Sequence, residues 1–207
     1  MQDADFINVI FNILVLIFSV IAHEISHGYM AQYLGDSTAR LAGRLTANPA
    51  KHFELFGSFL VPFGTFILTG GRFTIGWAKP VPYNPYNLKD QKWGDSKVAL
   101  AGPLTNFGIA IFFAIFLHVA SGFLTTSVEN ILRIIVQVNV VLAVFNLIPI
   151  PPLDGSKVLL NSLPLRYRYI GDYLERYSWV IIFLFAMFLW PYLVPLVSII
   201  DGFLLGS

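Results

Sequence analysis

Two histidines and a glutamate stand together in His23-Glu24-Ile25-Ser26-His27, at the end of a run with no charge of its own. Residues 6–22 read FINVIFNILVLIFSVIA, 17 positions without an ionisable side chain. On a helix, positions i and i+4 share a face, so His23 and His27 can both point at one cation. This is the ligand spacing of zinc hydrolases, for which N–Zn distances of about 2.0–2.1 Å are expected. Glu24, one residue along, reaches a water beside such an ion without being a ligand. Its chemistry there is that of a general base toward the water, then a proton donor to a leaving amine. An unpaired glutamate between two histidines in hydrocarbon would cost on the order of several kcal/mol, so ionisable groups at membrane depth read as functional. Gly28 follows directly, and its small size permits either close helix packing or room near the metal.

Zinc that keeps one position for water needs a third protein ligand. The chain has four histidines and no cysteine, so only N and O ligands are available. His52 lies in a polar loop after NPAK, and His118 lies near the far end of a later apolar segment. Asp154 is the better candidate. It sits in NLIPIPPLDG at 146–155, where Pro149, Pro151 and Pro152 must interrupt any helix. The break can turn Asp154 inward, and Gly155 relieves crowding. The competing reading of Asp154 is a helix cap or turn aspartate. Asn146, the next polar residue before the break, offers an amide that can donate to a substrate carbonyl or its oxyanion. Asn106, after Gly102-Pro103, is a second candidate for that role, or else pins loops. Asn139 reads as an interhelical hydrogen-bonding residue.

These residues must be positioned by apolar elements. The 207-residue chain is 56% hydrophobic and only 12% charged, with 19 Phe, and its mean hydropathy is +0.69. It has too little polar surface to cover itself in water and reads as one compact domain, residues 1–207, within a membrane. Absent cysteine excludes a disulfide framework and a thiol nucleophile. No basic tail or aromatic-basic interleaving points to nucleic acid. The acidic start MQDAD and the lack of a small-residue cleavage site lead us to expect that the first helix is retained rather than removed as a signal.

Four segments are expected to span: roughly 6–31, 97–120, 128–148 and 178–206, the last broken by Pro191 and Pro195. A fifth, 53–70, is short and interrupted by Gly57, Pro62 and Gly64. The sequence therefore predicts an all-α polytopic membrane fold with about four transmembrane helices and a re-entrant or short fifth hydrophobic segment. The segment GWAKPVPYNPYN at 76–87 is excluded from helix by Pro80, Pro82 and Pro85, and is expected to form a small extended loop near the active site.

Charge sets the topology. Arg40, Arg44 and Lys51 occupy the 32–52 connection. Arg72, Lys79, Lys89, Lys92 and Lys97 occupy 71–97, and Lys157, Arg166, Arg168 and Arg176 occupy 155–177. The positive-inside bias puts all three on the cytoplasmic side, with the N-terminus and the uncharged 121–127 turn outside. That holds only if 53–70 enters and leaves on one side, although its length also permits a full short span. Bringing Asp154 to His23 and His27 requires an even number of crossings between them, which favours the re-entrant form.

HEISHG at 23–28, AGPLTN at 101–106 and NLIPIPPLDG at 146–155, in this order and spacing, resemble the site-2 protease family, peptidase family M50. GWAKPVPYNP at 76–85 is similar to a loop of its compact members. The resemblance covers essentially the whole chain. It implies that His23, His27 and Asp154 bind one Zn2+, that Glu24 is catalytic and that Asn146 assists at the carbonyl. It further implies a multi-pass protein of the cell membrane, with its active site toward the cytoplasm, that cleaves transmembrane segments of membrane-protein substrates in regulated intramembrane proteolysis. No PDZ domain separates the metal-bearing segments, and no further domain is expected after the last apolar run. Substrate choice would then rest with the membrane domain, an accessory membrane protein or a homo-oligomer. The competing class is a non-proteolytic membrane metal-binding or metal-transport protein, for which Glu24 would be superfluous and the outer half offers few polar groups.

Overall fold

The computed structural model of the chain describes residues 2–68, 76–164 and 168–206. The end of the short apolar segment and Arg72 (in 69–75) and Arg166 (in 165–167) lie outside the described residues. Among the described residues the regular structure is helical and no strand occurs.

Helix α1, Gln2–Tyr33, carries the histidine pair, and its stretch Ile10–Tyr33 is long and apolar enough to cross a membrane. It stops at Gly35, whose φ of 112° is open to glycine and costly for other residues. The Gly35 N–H donates to Gln32 O and the Asp36 N–H to Ala31 O, which closes the last carbonyls in a Schellman-type cap. Two short helices follow, α2 (Thr38–Leu41) and α3 (Pro49–His52), the latter capped by the Asn48 side chain on Ala50 N–H.

The 53–70 segment becomes a π-helical turn, Phe56–Leu60, running into α4, Val61–Leu68. Those residues rise only about 20 Å, short of the roughly 30 Å of hydrocarbon. Gly57 is needed here, because a Cβ at this position would lie 2.2 Å from the Trp77 indole nitrogen. The Trp77 N–H donates to Gly57 O, and Trp77 Nε1 donates to Glu54 Oε2, so the short helix and the proline-rich segment are joined.

Helices α5 (Gly94–Ala120) and α6 (Thr126–Asn146) are full-length spans. The chain then leaves helical geometry through the proline stretch and resumes as α7, Asp154–Ser162. Helix α8 (Arg168–Arg176) leads to α9 (Ser178–Leu184). A second π-helical turn, Phe185–Leu189, precedes α10, Trp190–Leu205. The last two segments form one span only as a pair bent by 68°. The bend falls where Pro191 opens α10. The protein is thus a polytopic all-α membrane fold, with three helices long and apolar enough to span among the described residues and a fourth span where the bent pair counts as one.

The apolar core lies between α5, α6 and α10. Ala110 and Ala114 of α5 let the backbones approach, and Val136 and Val140 of α6 fill the seam at 0% exposure. Small residues do this work in lipid, where burying apolar surface between helices gains little by itself. Large side chains such as Phe18, Phe112 and Phe203 point outward, as a lipid-facing surface requires. A second cluster, Ala31, Leu34, Leu88 and Val98, ties the end of α1 to the start of α5 beneath the histidines.

Candidate metal centre

The site forms where α1, α5 and α7 meet. His23 and His27 are buried on one face of α1, with ring centroids 4.6 Å apart. Asp154, the first residue of α7, sends Oδ2 to within 3.0 Å of His23 Nε2 and 3.2 Å of His27 Nε2. One ligand atom from each residue falls within 4.8 Å of the others. Tetrahedral zinc with ligands at about 2.0 Å would hold such atoms roughly 3.3 Å apart. Asp154 Oδ2 is also buried and receives no well-directed hydrogen bond. Two imidazole nitrogens and an orphaned carboxylate oxygen facing one point fit a divalent metal of zinc type.

Local sequence explains why these groups converge. A Cβ on Gly102 would stand 2.5 Å from His23 Cε1 and 2.6 Å from His27 Cε1, so only glycine lets α5 lie against both rings. A Cβ on Gly155 would stand 2.2 Å from Leu147 O, so this glycine lets α7 fold back under the end of α6. Asp154 is the first residue of α7, and its carboxylate is turned to the histidines. Gly28 serves packing: a Cβ there would meet Leu45 Cδ2 at 2.5 Å and Val81 Cγ1 at 2.9 Å.

The far nitrogens of both imidazoles are also held. His27 Nδ1 lies 2.7 Å from Val98 O, and His23 Nδ1 lies 2.7 Å from Asn106 Oδ1. Such outer partners fix the ring orientation of metal-binding histidines. Asn106 was one of two candidates for substrate contact; it lies fully buried behind His23 instead. Asn139 does bond across helices, to Asn106 and to Ser19. Asn146 ends α6 and donates to Leu142 O of its own helix at 2.9 Å. His52 is buried with Nε2 on Thr46 O, and His118 holds Nδ1 on Ala114 O; neither joins the cluster.

Glu24 points to the proline-rich segment, where its Oε2 accepts the Val81 main-chain N–H at 2.9 Å. That segment runs extended across the site and is tied along its length. Lys79 N–H donates to His52 O, Arg44 Nη2 donates to Lys79 O at 2.7 Å, and Asn84 N–H donates to Asp36 Oδ2 at 2.8 Å. Its far end meets α7: the Tyr83 hydroxyl donates to Asp95 Oδ1, and Lys157 Nζ donates to the Tyr83 hydroxyl at 3.0 Å. Burial pushes the Tyr83 phenol up to about 12, against the pull of the Lys157 ammonium. Burial alone would lower Lys157, but Tyr83, Asp95 and Asp154 outweigh it and hold the amine above its usual value. Lys157 lies one helical turn from Asp154, so this clamp also fixes the helix that presents the Asp154 carboxylate.

Sequence reasoning did not find the Val98 carbonyl, the Asn106–His23 contact or the Tyr83–Lys157 clamp. The i, i+4 spacing of Gly102 and Asn106 on one face of α5 was the available signal for the second of these.

Comparison with known proteins agrees with this geometry. The family model for peptidase family M50 matches residues 11–126 and 118–189. The putative zinc metalloprotease YwhC of Bacillus subtilis (strain 168) is 34% identical over 194 residues, covering 87% of this chain and 84% of that protein. The putative zinc metalloprotease MJ0611 of Methanocaldococcus jannaschii is 36% identical over 154 residues, 72% of each chain. The zinc metalloprotease MJ0392 of the same organism is 25% identical over 159 residues, 76% of this chain and 35% of that protein. No solved structure matches.

Proposed function

This chain belongs to peptidase family M50, and from that premise we propose how its residues divide the work of a zinc endopeptidase acting on membrane-embedded proteins. The observation that carries the reading is the convergence of His23, His27 and Asp154 on one buried point between membrane-spanning helices. His23 Nε2, His27 Nε2 and Asp154 Oδ2 would hold a single zinc ion. When bound, zinc supplies a Lewis acid for the attacking water and for the scissile carbonyl. Glu24 takes a proton from that water as its oxygen adds to the carbonyl carbon, and passes it to the amine as the C–N bond breaks. Asn146, at the end of α6, donates its amide to the carbonyl oxygen as negative charge develops there. Residues 1–207 act as one catalytic domain.

A transmembrane helix has no free backbone groups, so the substrate must unwind locally before it can be cut. The extended segment 77–83 beside Glu24 supplies a surface against which unwound chain can lie. The basic connections argue that the site opens toward the cytoplasm.

The test compares purified wild type with Glu24→Gln, measuring bound zinc and cleavage of transmembrane peptides rich in helix-destabilising residues. The glutamine carbonyl can still accept the Val81 N–H, so the fold is kept. Zinc in both proteins with cleavage lowered by about 10²–10⁴-fold in the variant is expected for loss of a general base. Equal cleavage by both would remove Glu24 from the mechanism.

A further inference from the structure

Behind His23 lies a closed polar chain through three membrane helices. Asn106 of α5 and Asn139 of α6 are both 0% exposed, and Ser19 of α1 is 6% exposed. Asn106 Oδ1 lies 2.7 Å from His23 Nδ1. Asn106 Nδ2 donates to Asn139 Oδ1 at 2.8 Å and to Ser19 O at 3.3 Å. Asn139 Nδ2 donates to Ser19 Oγ at 2.9 Å and to Ile135 O at 2.8 Å.

The direction of this chain is set by chemistry at its base. Ile135 O and Ser19 O are main-chain carbonyls and can only accept. Turning the Asn139 amide over would press its oxygen against Ile135 O. Turning Asn106 over would press its oxygen against Ser19 O. Each amide must therefore present nitrogen to its carbonyl, which leaves Asn106 Oδ1 as the atom facing His23. That oxygen can only accept, so His23 must carry its proton on Nδ1. Its Nε2 lone pair is then left free on the side of Asp154 Oδ2, 3.0 Å away.

We propose that Asn106, itself oriented by Asn139 and Ser19, is the positioning residue that fixes the tautomer and ring plane of His23 for metal binding. The proposal rests on the zinc reading of His23, His27 and Asp154. It also distinguishes the two histidines. His27 is oriented by the Val98 main-chain carbonyl, which no substitution at residue 98 removes. His23 depends on side chains, so its orientation is open to mutation. Placing two amides in apolar helices is otherwise unfavourable, and their full mutual satisfaction gives them this one outward-facing acceptor.

The experiment uses the full chain purified in detergent and two readouts other than cleavage. Zinc affinity is measured by competition with a chromophoric chelator for wild type, Asn106→Leu and Asn139→Leu. Loss of an outer-shell partner typically weakens metal binding by about 10–100-fold. That loss is expected for Asn106→Leu, with a smaller loss for Asn139→Leu, where Asn106 keeps only Ser19 O. A folded Asn106→Leu protein within twofold of wild type would overturn the proposal. The second readout needs no variant: 15N spectra of histidine-labelled, zinc-depleted wild type, assigned with the help of His52 and His118 substitutions. A protonated Nδ1 on His23 is expected, and an Nδ1 without a proton would overturn the proposal even if the variants fail to fold. A wild type that binds no zinc at all would instead overturn the metal reading and this proposal with it.

Discussion

The main-chain N–H of Val81 donates to Glu24 Oε2 at 2.9 Å. Pro80 and Pro82 on either side have no N–H to give, so Val81 supplies the single donor of that tripeptide, and it is aimed at the carboxylate proposed as the general base. The Val81 side chain meanwhile lies where a Cβ on Gly28 would sit, 2.9 Å from its Cγ1. Helix α1 and the proline-rich segment therefore meet twice within one turn, once through a hydrogen bond and once through packing.

The ligand set predicts a sharp division among single substitutions. Asp154→Ala should lower zinc affinity by at least about 100-fold, because two imidazoles alone leave the ion one protein ligand short. His118→Ala should keep both zinc and stability. His52→Ala should keep zinc while losing about 1–3 kcal/mol of stability, since it empties a buried position and frees Thr46 O. Elemental analysis of each protein after dialysis, with a thermal melt in parallel, checks all three. Zinc lost from the His52 variant while retained by the Asp154 variant would reassign the third ligand.

Gly102 and Gly108 lie on the same helix and predict opposite outcomes. Alanine at 102 would place its methyl 2.5–2.6 Å from both imidazoles, so α5 must move off α1. The expected result is about 1–3 kcal/mol of destabilisation from overpacking, together with weaker zinc binding. Alanine at 108 meets nothing within 4 Å and should be neutral or stabilising by up to about 1 kcal/mol through helix propensity. Melting both variants with and without zinc separates the packing effect from the metal effect. Equal behaviour at the two positions would mean that α5 does not press on the histidines.

The parts of the site that were legible in the sequence are those set by local spacing. His23 and His27 share a face because four residues make about one helical turn, and Asp154 is freed because prolines at 149, 151 and 152 cannot continue α6. The first three spans were legible from long apolar runs, the bent last one from an apolar run broken by Pro191 and Pro195, and the short 53–70 segment from its glycines and proline. The partners of those residues were not legible, because they arise from contacts between distant segments. Val98 contributes a carbonyl, which every residue possesses, so its identity carried no signal. The Tyr83–Lys157 clamp joins positions 74 residues apart, and neither residue type is unusual in a polar connection. Asn106 reads from sequence as a candidate for substrate contact or for pinning loops, and its contact with His23 follows only from the packing of α5 on α1.

Asp36 gives the fold a predictable acid sensitivity. It is fully buried at the end of α1 and holds the proline-rich segment through Asn84 N–H and Asn87 Nδ2, each at 2.8 Å, and also accepts from Thr38 Oγ1 at 2.6 Å. Burial alone would raise its carboxyl, but hydrogen bonds from Thr38, Asn87 and Asn84 outweigh it and hold the group below the usual carboxylate range. A depressed carboxylate contributes stability that is present above its unfolded-state pKa, about 3.9, and is lost as pH falls through the lower folded-state value. Asp36→Asn should therefore be less stable than wild type at pH 7 by about 1–3 kcal/mol, and the gap should close below about pH 4. Thermal midpoints of both proteins between pH 7 and pH 3, with zinc chelated throughout, measure this. A gap independent of pH would mean that the charge of Asp36 does not hold the segment.

The Val81–Glu24 contact predicts a difference between two substitutions at one residue. Val81→Ala removes the packing against Gly28 but keeps the N–H. Val81→Pro removes the N–H and suits the extended, proline-flanked backbone. A hydrogen bond to a charged group is worth about 1.5–3 kcal/mol, or roughly 10–100-fold in a rate it supports. If the N–H holds Glu24 in the position from which it takes a proton, Val81→Pro should lose about that factor in kcat/KM relative to Val81→Ala. Both should bind zinc as wild type does, since neither touches His23, His27 or Asp154. Peptide cleavage rates and zinc content, measured on the same preparations, decide the matter. Equal rates for the two variants would show that the segment acts on Glu24 only through packing. A proline variant that also lost zinc would show that it holds the whole of α1 in place rather than the carboxylate alone.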